Sequence, residues 1–159
     1  MNRSDMMTAA GMGAMAGMRA LSAPAFLSHH LAEEGASAKA NPVEQFLASS
    51  TTARVLPVLA LGELVLDKMP GMPARIVPPV LLMRLASGAM VGAAVARQKE
   101  RPVLGFAVVG AVAALASSFA LYTVREFATR KLRIPNIIAG FIEDALVASA
   151  GHRLTAVMG

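Results

Sequence analysis

The stretch VLGFAVVGAVAALASSFALYTVREFAT, residues 103–129, decides the fold class, since it carries no charge before Arg125. A helix needs about 20 mostly apolar residues to cross a bilayer, and this stretch is long enough. The whole chain is 55% hydrophobic and only 16% charged, with a mean hydropathy of +0.56, whereas an ordinary soluble domain is about a quarter charged. The sequence therefore predicts an integral membrane protein.

Four further stretches approach the length of a membrane span: residues 6–28, 53–69, 75–97 and 134–152. Short connections force neighbouring helices to be antiparallel. The predicted fold is all-α, a single polytopic domain over residues 1–159 with four to five transmembrane helices. In this prediction the first segment is one retained helix, although a secretory signal competes with it, and a re-entrant hairpin joining the second and third segments is an alternative.

One sizeable polar segment, residues 29–52, is predicted to be a loop between the first and second helices. Within it, residues 42–50 are predicted to form a short interfacial helix, because Val43, Phe46 and Leu47 share a side. The expected location is a bacterial inner membrane, crossed several times. Lysine and arginine divide evenly between the two sides of a five-helix arrangement, so the positive-inside rule assigns no orientation.

Five charged residues, Arg19, Glu63, Arg84, Glu143 and Asp144, lie well inside the apolar stretches. Ionisable groups are expensive within hydrocarbon, so each marks a candidate functional position. At a rise of about 1.5 Å per residue, Arg19 and Glu63 lie at a matching depth of roughly 14–15 Å from one face. Arg84 and Glu143 match in the same way from the other face. The sequence thus predicts two ion pairs, Arg19 with Glu63 and Arg84 with Glu143, while Arg125 is expected to snorkel from the end of its helix.

These charges support two functional hypotheses. In the first, the carboxylates line a polar path or cavity for an ion or small polar solute, and the arginines tune their protonation, as expected of a small transporter or channel. The candidate binding cluster consists of Arg19, Glu63, Asp67, Lys68, Arg84, Glu143 and Asp144. In the alternative, static ion pairs fix the helix register of a structural or partner-binding membrane subunit.

Glycines spaced by four residues, Gly13 with Gly17 and Gly88 with Gly92, form small-xxx-small patterns that allow close helix packing. We expect these faces to pack helices and to support a homo-oligomer. The serines Ser22, Ser87, Ser117 and Ser118 have small neighbours, which fits hydrogen bonding between helices.

Several function classes find no support in the sequence. The net charge of +5 comes from scattered basic residues with few aromatics, which favours contact with anionic lipid over nucleic acid. No nucleophile elbow, phosphate loop or dinucleotide fingerprint occurs, so no enzyme is predicted. The chain has no cysteine, and no metal or cofactor is expected. The expected partners are the lipid bilayer, a second copy of the chain and a small polar solute or ion.

Three motifs resemble a family of small bacterial integral membrane proteins catalogued only as a domain of unknown function. They are AGMRALSAPA at Ala16–Ala25, GELVLDKMP at Gly62–Pro70 and RLASGAMVGA at Arg84–Ala93. The resemblance extends roughly from Met6 to Val147. It implies a polytopic membrane protein and a shared pattern at Arg19, Glu63, Asp67, Lys68, Pro70 and Arg84, but it implies no activity.

Overall fold

The computed structural model describes residues 3–35, 42–66, 77–132 and 135–158, and within these ranges every regular element is a helix. In chain order the helices are α1 (Arg3–Met18), α2 (Ser22–Glu34), α3 (Pro42–Ala48), α4 (Ser50–Leu66), α5 (Pro78–Gln98), α6 (Val103–Arg130) and α7 (Asn136–Met158). The predicted all-α class is confirmed.

Helices α1, α5 and α6 pack together at the centre of the fold, and glycines allow their close approach. A Cβ atom built on Gly110 of α6 would lie 2.1 Å from the carbonyl oxygen of Gly88 in α5. A Cβ atom built on Gly13 of α1 would lie 2.3 Å from the carbonyl oxygen of Gly110. No residue with a side chain fits at such separations, so glycine at these positions sets the spacing of the three helices.

The other two glycines of the predicted packing faces have the same environment. Gly17 of α1 lies against Ala114 of α6, and Gly92 of α5 lies against Phe106 of α6. All four glycines thus contact helices of their own chain. The homo-oligomer predicted through these faces needs a different surface, because α6 already covers them.

Helices α1 and α2 form a hairpin, and their contacts with α7 show it. Leu154 of α7 lies against Gly11 of α1, and Gly151 of α7 lies against Phe26 of α2. Positions 151 and 154 are about one turn apart on α7, so α1 and α2 both approach that helix at nearly the same level. The chain therefore reverses direction at residues 19–21, and the prediction of one continuous helix over residues 6–28 is wrong.

Each later predicted segment overlaps one observed helix, and the largest difference within the described residues is at α7, which continues six residues beyond the predicted end at residue 152. Segments 53–69, 75–97, 103–129 and 134–152 correspond to α4, α5, α6 and α7. Two of the described helices, α5 and α6, are long and apolar enough to cross a membrane.

The predicted polar loop over residues 29–52 is in part helical. Helix α2 continues to Glu34, and α3 covers Pro42–Ala48 within the short helix predicted for residues 42–50. Leu47 of α3 is buried, and its carbonyl accepts a hydrogen bond from the Ser28 hydroxyl of α2. The segment that was expected to be a solvated loop therefore packs in part against the hairpin.

Large apolar side chains cover much of the outside of the fold. On α6, Val108, Val112 and Phe119 are about half exposed, and α4 and α7 have similar outer faces. The buried interior is rich in alanine and glycine and contains Arg19 and Arg84, which are 1% and 4% exposed. Water-soluble domains seldom bury arginine so completely.

Candidate functional site

The tip of the α1–α2 hairpin lies among buried polar side chains, which include Arg19, Ser22, Arg84 and Ser118. The regular hydrogen bonds of α1 end with the Arg19 N–H, which donates to the Met15 carbonyl at 2.8 Å. Those of α2 begin with the Ala25 N–H, which donates to the Leu21 carbonyl at 3.0 Å. The backbone groups between these two bonds need other partners, because a buried N–H or C=O without a hydrogen bond is costly.

Pro24 favours a helix break at this point. Proline has no N–H to donate to the Ala20 carbonyl, and its ring would clash with that carbonyl in a continuous helix, at a cost of about 3 kcal/mol. In the hairpin, Pro24 lies in the first turn of α2, where proline is tolerated. The Ala20 carbonyl instead accepts a hydrogen bond from the Ser87 hydroxyl of α5.

Glu63 of α4 caps the N-terminus of α2. Its Oε1 atom accepts a hydrogen bond from the Ala20 N–H, and its Oε2 atom accepts one from the Leu21 N–H, each at 3.0 Å. These N–H groups would otherwise bond to carbonyls one turn earlier in a continuous helix. A carboxylate is also favoured at a helix N-terminus by the helix dipole. Leu21, at the N-cap position, supplies no side-chain hydrogen bond, so a distant residue performs the capping.

The C-terminus of α1 is satisfied by donors from α5 and α6. The Gly17 carbonyl accepts a hydrogen bond from Nη1 of Arg84 at 2.7 Å and one from the Ser118 hydroxyl at 3.0 Å. Both donors are buried. A cation at a helix C-terminus complements the dipole, just as Glu63 does at the opposite end of the break. The Ser117 hydroxyl donates a further hydrogen bond, which the Ala14 carbonyl accepts.

Three of the serines predicted to bond between helices therefore do so: Ser87, Ser117 and Ser118. Each donates to a carbonyl of the hairpin. The chain thus supplies α1 and α2 with hydrogen bonds from three other helices, which explains how a three-residue turn is held inside the protein.

Arg19 points from the tip to α7, where its Nη2 atom forms an ion pair with Oδ1 of Asp144. The Arg19 side chain is 1% exposed and that of Asp144 is 12% exposed. The predicted pair of Arg19 with Glu63 is therefore wrong, since both oxygens of Glu63 bond to the backbone. The two residues do lie at the same level, as their predicted depths require.

Glu143, the neighbour of Asp144, faces a different helix. Its Oε2 atom lies 3.8 Å from Nη1 of Arg125 on α6, and both side chains are largely buried. Arg125 was expected to snorkel outward, and it instead faces Glu143. Arg84 donates a hydrogen bond to the Gly17 carbonyl, and its predicted pairing with Glu143 stays a prediction.

The structure brings Arg19, Glu63, Arg84 and Asp144 together around one short turn of backbone. Two other members of the candidate cluster, Asp67 and Lys68, lie outside the described residues, as does Pro70 of the family motif.

A pocket of about 330 Å³ lies beside the tip. Helix α2 forms its floor through Ser22, Ala25, Phe26 and His29, while α4 and α7 form its two walls. The Arg19–Asp144 ion pair lines the inner end. His29 lies at the outer end, where its side chain is exposed and its Nδ1 atom is 3.6 Å from Oε1 of Glu33. The volume is within the usual range for small-ligand sites, which starts at about 300 Å³.

Replacing Glu63 by glutamine tests its capping role. The amide group of glutamine would place a donor against one of the two N–H groups, so we expect a loss of about 1–3 kcal/mol in the free energy of unfolding. Hydrogen exchange at the Ala20 and Leu21 amides is expected to accelerate. The matched control is Glu126→Gln, which breaks a partly exposed pair with Arg130 and is expected to cost less than about 1 kcal/mol. Equal losses in the two variants would contradict the capping role.

Comparison with known proteins gives one finding about the chain. No curated protein and no solved structure matches it significantly. The family model described as "Domain of unknown function (DUF4126)" matches residues 6–156, which is nearly the whole chain and includes all of the residues around the hairpin tip. The protein therefore belongs to the DUF4126 family.

Proposed function

We propose that this protein is a multi-pass protein of the bacterial inner membrane that binds a small solute with an ionisable group and moves it across the bilayer. The apolar outer faces of α4, α6 and α7 support the membrane location, because exposed patches of this extent are rare on soluble monomers. The length and hydropathy of α5 and α6 support it as well.

In this proposal α4, α5, α6 and α7 span the bilayer, and the α1–α2 hairpin is re-entrant. Ser118, which bonds to the hairpin tip, lies about 22 Å along α6 from Val103 at a rise of 1.5 Å per residue. This distance falls inside a hydrocarbon core of about 30 Å. Irregular backbone at such depth is tolerated only where protein or a water-filled cavity surrounds it. The hairpin tip meets this condition, because Glu63, Arg84 and Ser118 form hydrogen bonds with its backbone.

The observation that carries the proposal is the pocket beside the Arg19–Asp144 pair. Many transporters bind their substrates near the middle of the bilayer, at the ends of interrupted helices. Here, the ends of α1 and α2 meet inside the protein, and a pocket leads from the exposed His29 to the buried Arg19. A solute with an acidic or basic group could compete with one member of the ion pair.

Thiol labelling at position 22 tests whether solutes reach this pocket. Ser22 is 5% exposed and lines the pocket, the chain has no cysteine, and Ser22→Cys changes little more than one atom. We expect a membrane-impermeant maleimide to label this cysteine from one side of oriented membrane vesicles.

The controls use two further serines. Ser118→Cys lies in the closed contact of α1, α5 and α6 at 0% exposure and is expected to stay unlabelled. Ser4→Cys, at the exposed start of α1, is expected to label readily. If Ser22→Cys reacts no faster than Ser118→Cys, the transport proposal is wrong.

The alternative function, a structural or partner-binding subunit, is favoured by one observation. Glu63, Arg84 and Ser118 all bond to backbone groups of the hairpin and thereby hold it in place. If these contacts are only structural, Ser22→Cys is unreactive while Glu63→Gln still destabilises the protein. The two measurements together separate the two functions.

A further inference from the structure

The pocket beside the hairpin tip has an apolar lining along most of its length. Its polar lining is confined to the two ends and to Ser22, while the walls are formed by residues such as Phe26, Ala60 and Val147. A hydrophilic ion would be desolvated along these walls without gaining hydrogen bonds, which is unfavourable. The lining therefore favours a ligand with an apolar body.

The same pocket opens sideways between its two walls. Leu61 of α4 and Ala148 of α7 line the pocket and are also exposed at the surface of the fold. Their exposed neighbours are apolar, with Val58 at 66% and Leu146 at 52% exposure. If α4 and α7 span the bilayer, this opening faces lipid tails rather than water.

The inner end of the pocket has the chemistry that recognises an acid. The Arg19 guanidinium is 1% exposed, so its position is fixed by the surrounding protein, and it already binds the carboxylate of Asp144. A guanidinium binds carboxylates through paired N–H donors. A ligand carboxylate can therefore bind at the same guanidinium as Asp144 through a charge-assisted hydrogen bond, which is stronger than the bond to a neutral head group, whereas a cationic head group is repelled.

We propose that the ligand of this site is a single-chain carboxylate amphiphile, such as a fatty acid, which binds with its head at Arg19 and its chain in the opening between α4 and α7. This inference rests on the proposed function, since it names the solute of the same site. From Ser22 to His29 the pocket extends about 10 Å along α2, which leaves the remainder of a longer chain in the lipid.

Photolabelling tests the inference. The full chain is reconstituted in phosphatidylethanolamine and phosphatidylglycerol vesicles with dodecanoic acid carrying a diazirine in the middle of its chain. We expect crosslinks at Leu61 and Ala148, and labelling by the corresponding dodecanol probe is expected to be about tenfold weaker, because the alcohol lacks the charge that Arg19 binds.

A matched pair of variants on α7 locates the chain. Ala148→Phe fills the opening and is expected to reduce labelling about tenfold, the factor for about 1.4 kcal/mol of binding. Ala145→Phe, at an exposed position that does not line the pocket, is expected to leave labelling unchanged. Equal labelling by the acid and alcohol probes, or equal labelling of the two variants, would overturn the inference. So would a change from dimer to monomer caused by Ala148→Phe alone, since a second copy would then fill the opening.

Protection of Ser22→Cys separates this inference from the proposed function. Dodecanoate is expected to slow maleimide labelling of this cysteine, and acetate is not. If acetate protects and dodecanoate does not, a small hydrophilic acid is the solute, so the amphiphile inference fails while the proposed function stands. If the cysteine never reacts, both are wrong.

Discussion

Replacing Arg19 by glutamine is expected to lower the free energy of unfolding by about 3–5 kcal/mol, one of the two largest effects we expect. The substitution would leave the Asp144 carboxylate, which is only 12% exposed, without the guanidinium that compensates its charge. Breaking a buried ion pair from one side typically costs this much. Unfolding by SDS in mixed micelles, followed by far-ultraviolet circular dichroism, measures the change in a chain that has no tryptophan.

The double variant identifies the partner of Arg19. Arg19→Gln with Asp144→Asn removes both charges, so we expect it to recover most of the stability that the single variant loses. Arg19→Gln with Glu63→Gln is expected to lose at least the sum of the two single effects. Rescue by the change at Glu63 and none at Asp144 would show that the pairing in the structure is wrong. Arg130→Gln, which breaks an exposed pair with Glu126, is the control and should cost less than about 1 kcal/mol.

The sequence predicts which charges gather but not how they pair. Depth along a helix follows from a fixed rise per residue, and this arithmetic placed Arg19 level with Glu63 correctly. Depth does not determine which way a side chain points around its helix. Glu143 and Asp144 differ by one position and hence by about 100° around α7, so they face Arg125 and Arg19 respectively. Only the packing of neighbouring helices decides that choice.

The hairpin could not be recognised from hydropathy. Two helices of 16 and 13 residues joined by a tight turn have the same apolar composition as a single span with one arginine. The available signal was Pro24, which stands where a continuous helix would need an N–H. Proline is also common near a helix start. Pro24 is therefore compatible with a second helix that begins after Arg19. What holds the turn, the capping by Glu63 and the donors from α5 and α6, comes from residues far away in the sequence.

Replacing Gly110 by alanine is the second variant expected to have a large effect. The new Cβ atom would lie 2.1 Å from the Gly88 carbonyl oxygen and 3.3 Å from the Gly92 Cα atom. Both are backbone atoms, so no side chain can rotate away, and α5 and α6 must separate. Overpacking of this kind typically costs about 1–3 kcal/mol, and occasionally more. The same SDS unfolding measurement would record it, and we expect a value at or above the upper end.

The control is the same substitution five residues nearer the start of the helix. A Cβ atom on Gly105 would meet nothing within 4 Å, so Gly105→Ala is expected to be neutral or to stabilise α6 by up to about 1 kcal/mol through helix propensity. The two variants make the same chemical change in one helix, but only Gly110→Ala should lower the free energy of unfolding.

Gly110 is in close contact with both α5 and α1, so its substitution should also move Ser118 away from the Gly17 carbonyl. Faster hydrogen exchange at the Ala20 and Leu21 amides in Gly110→Ala would show that the central glycine contact and the hairpin tip are one cooperative unit, and unchanged exchange would show that they are independent.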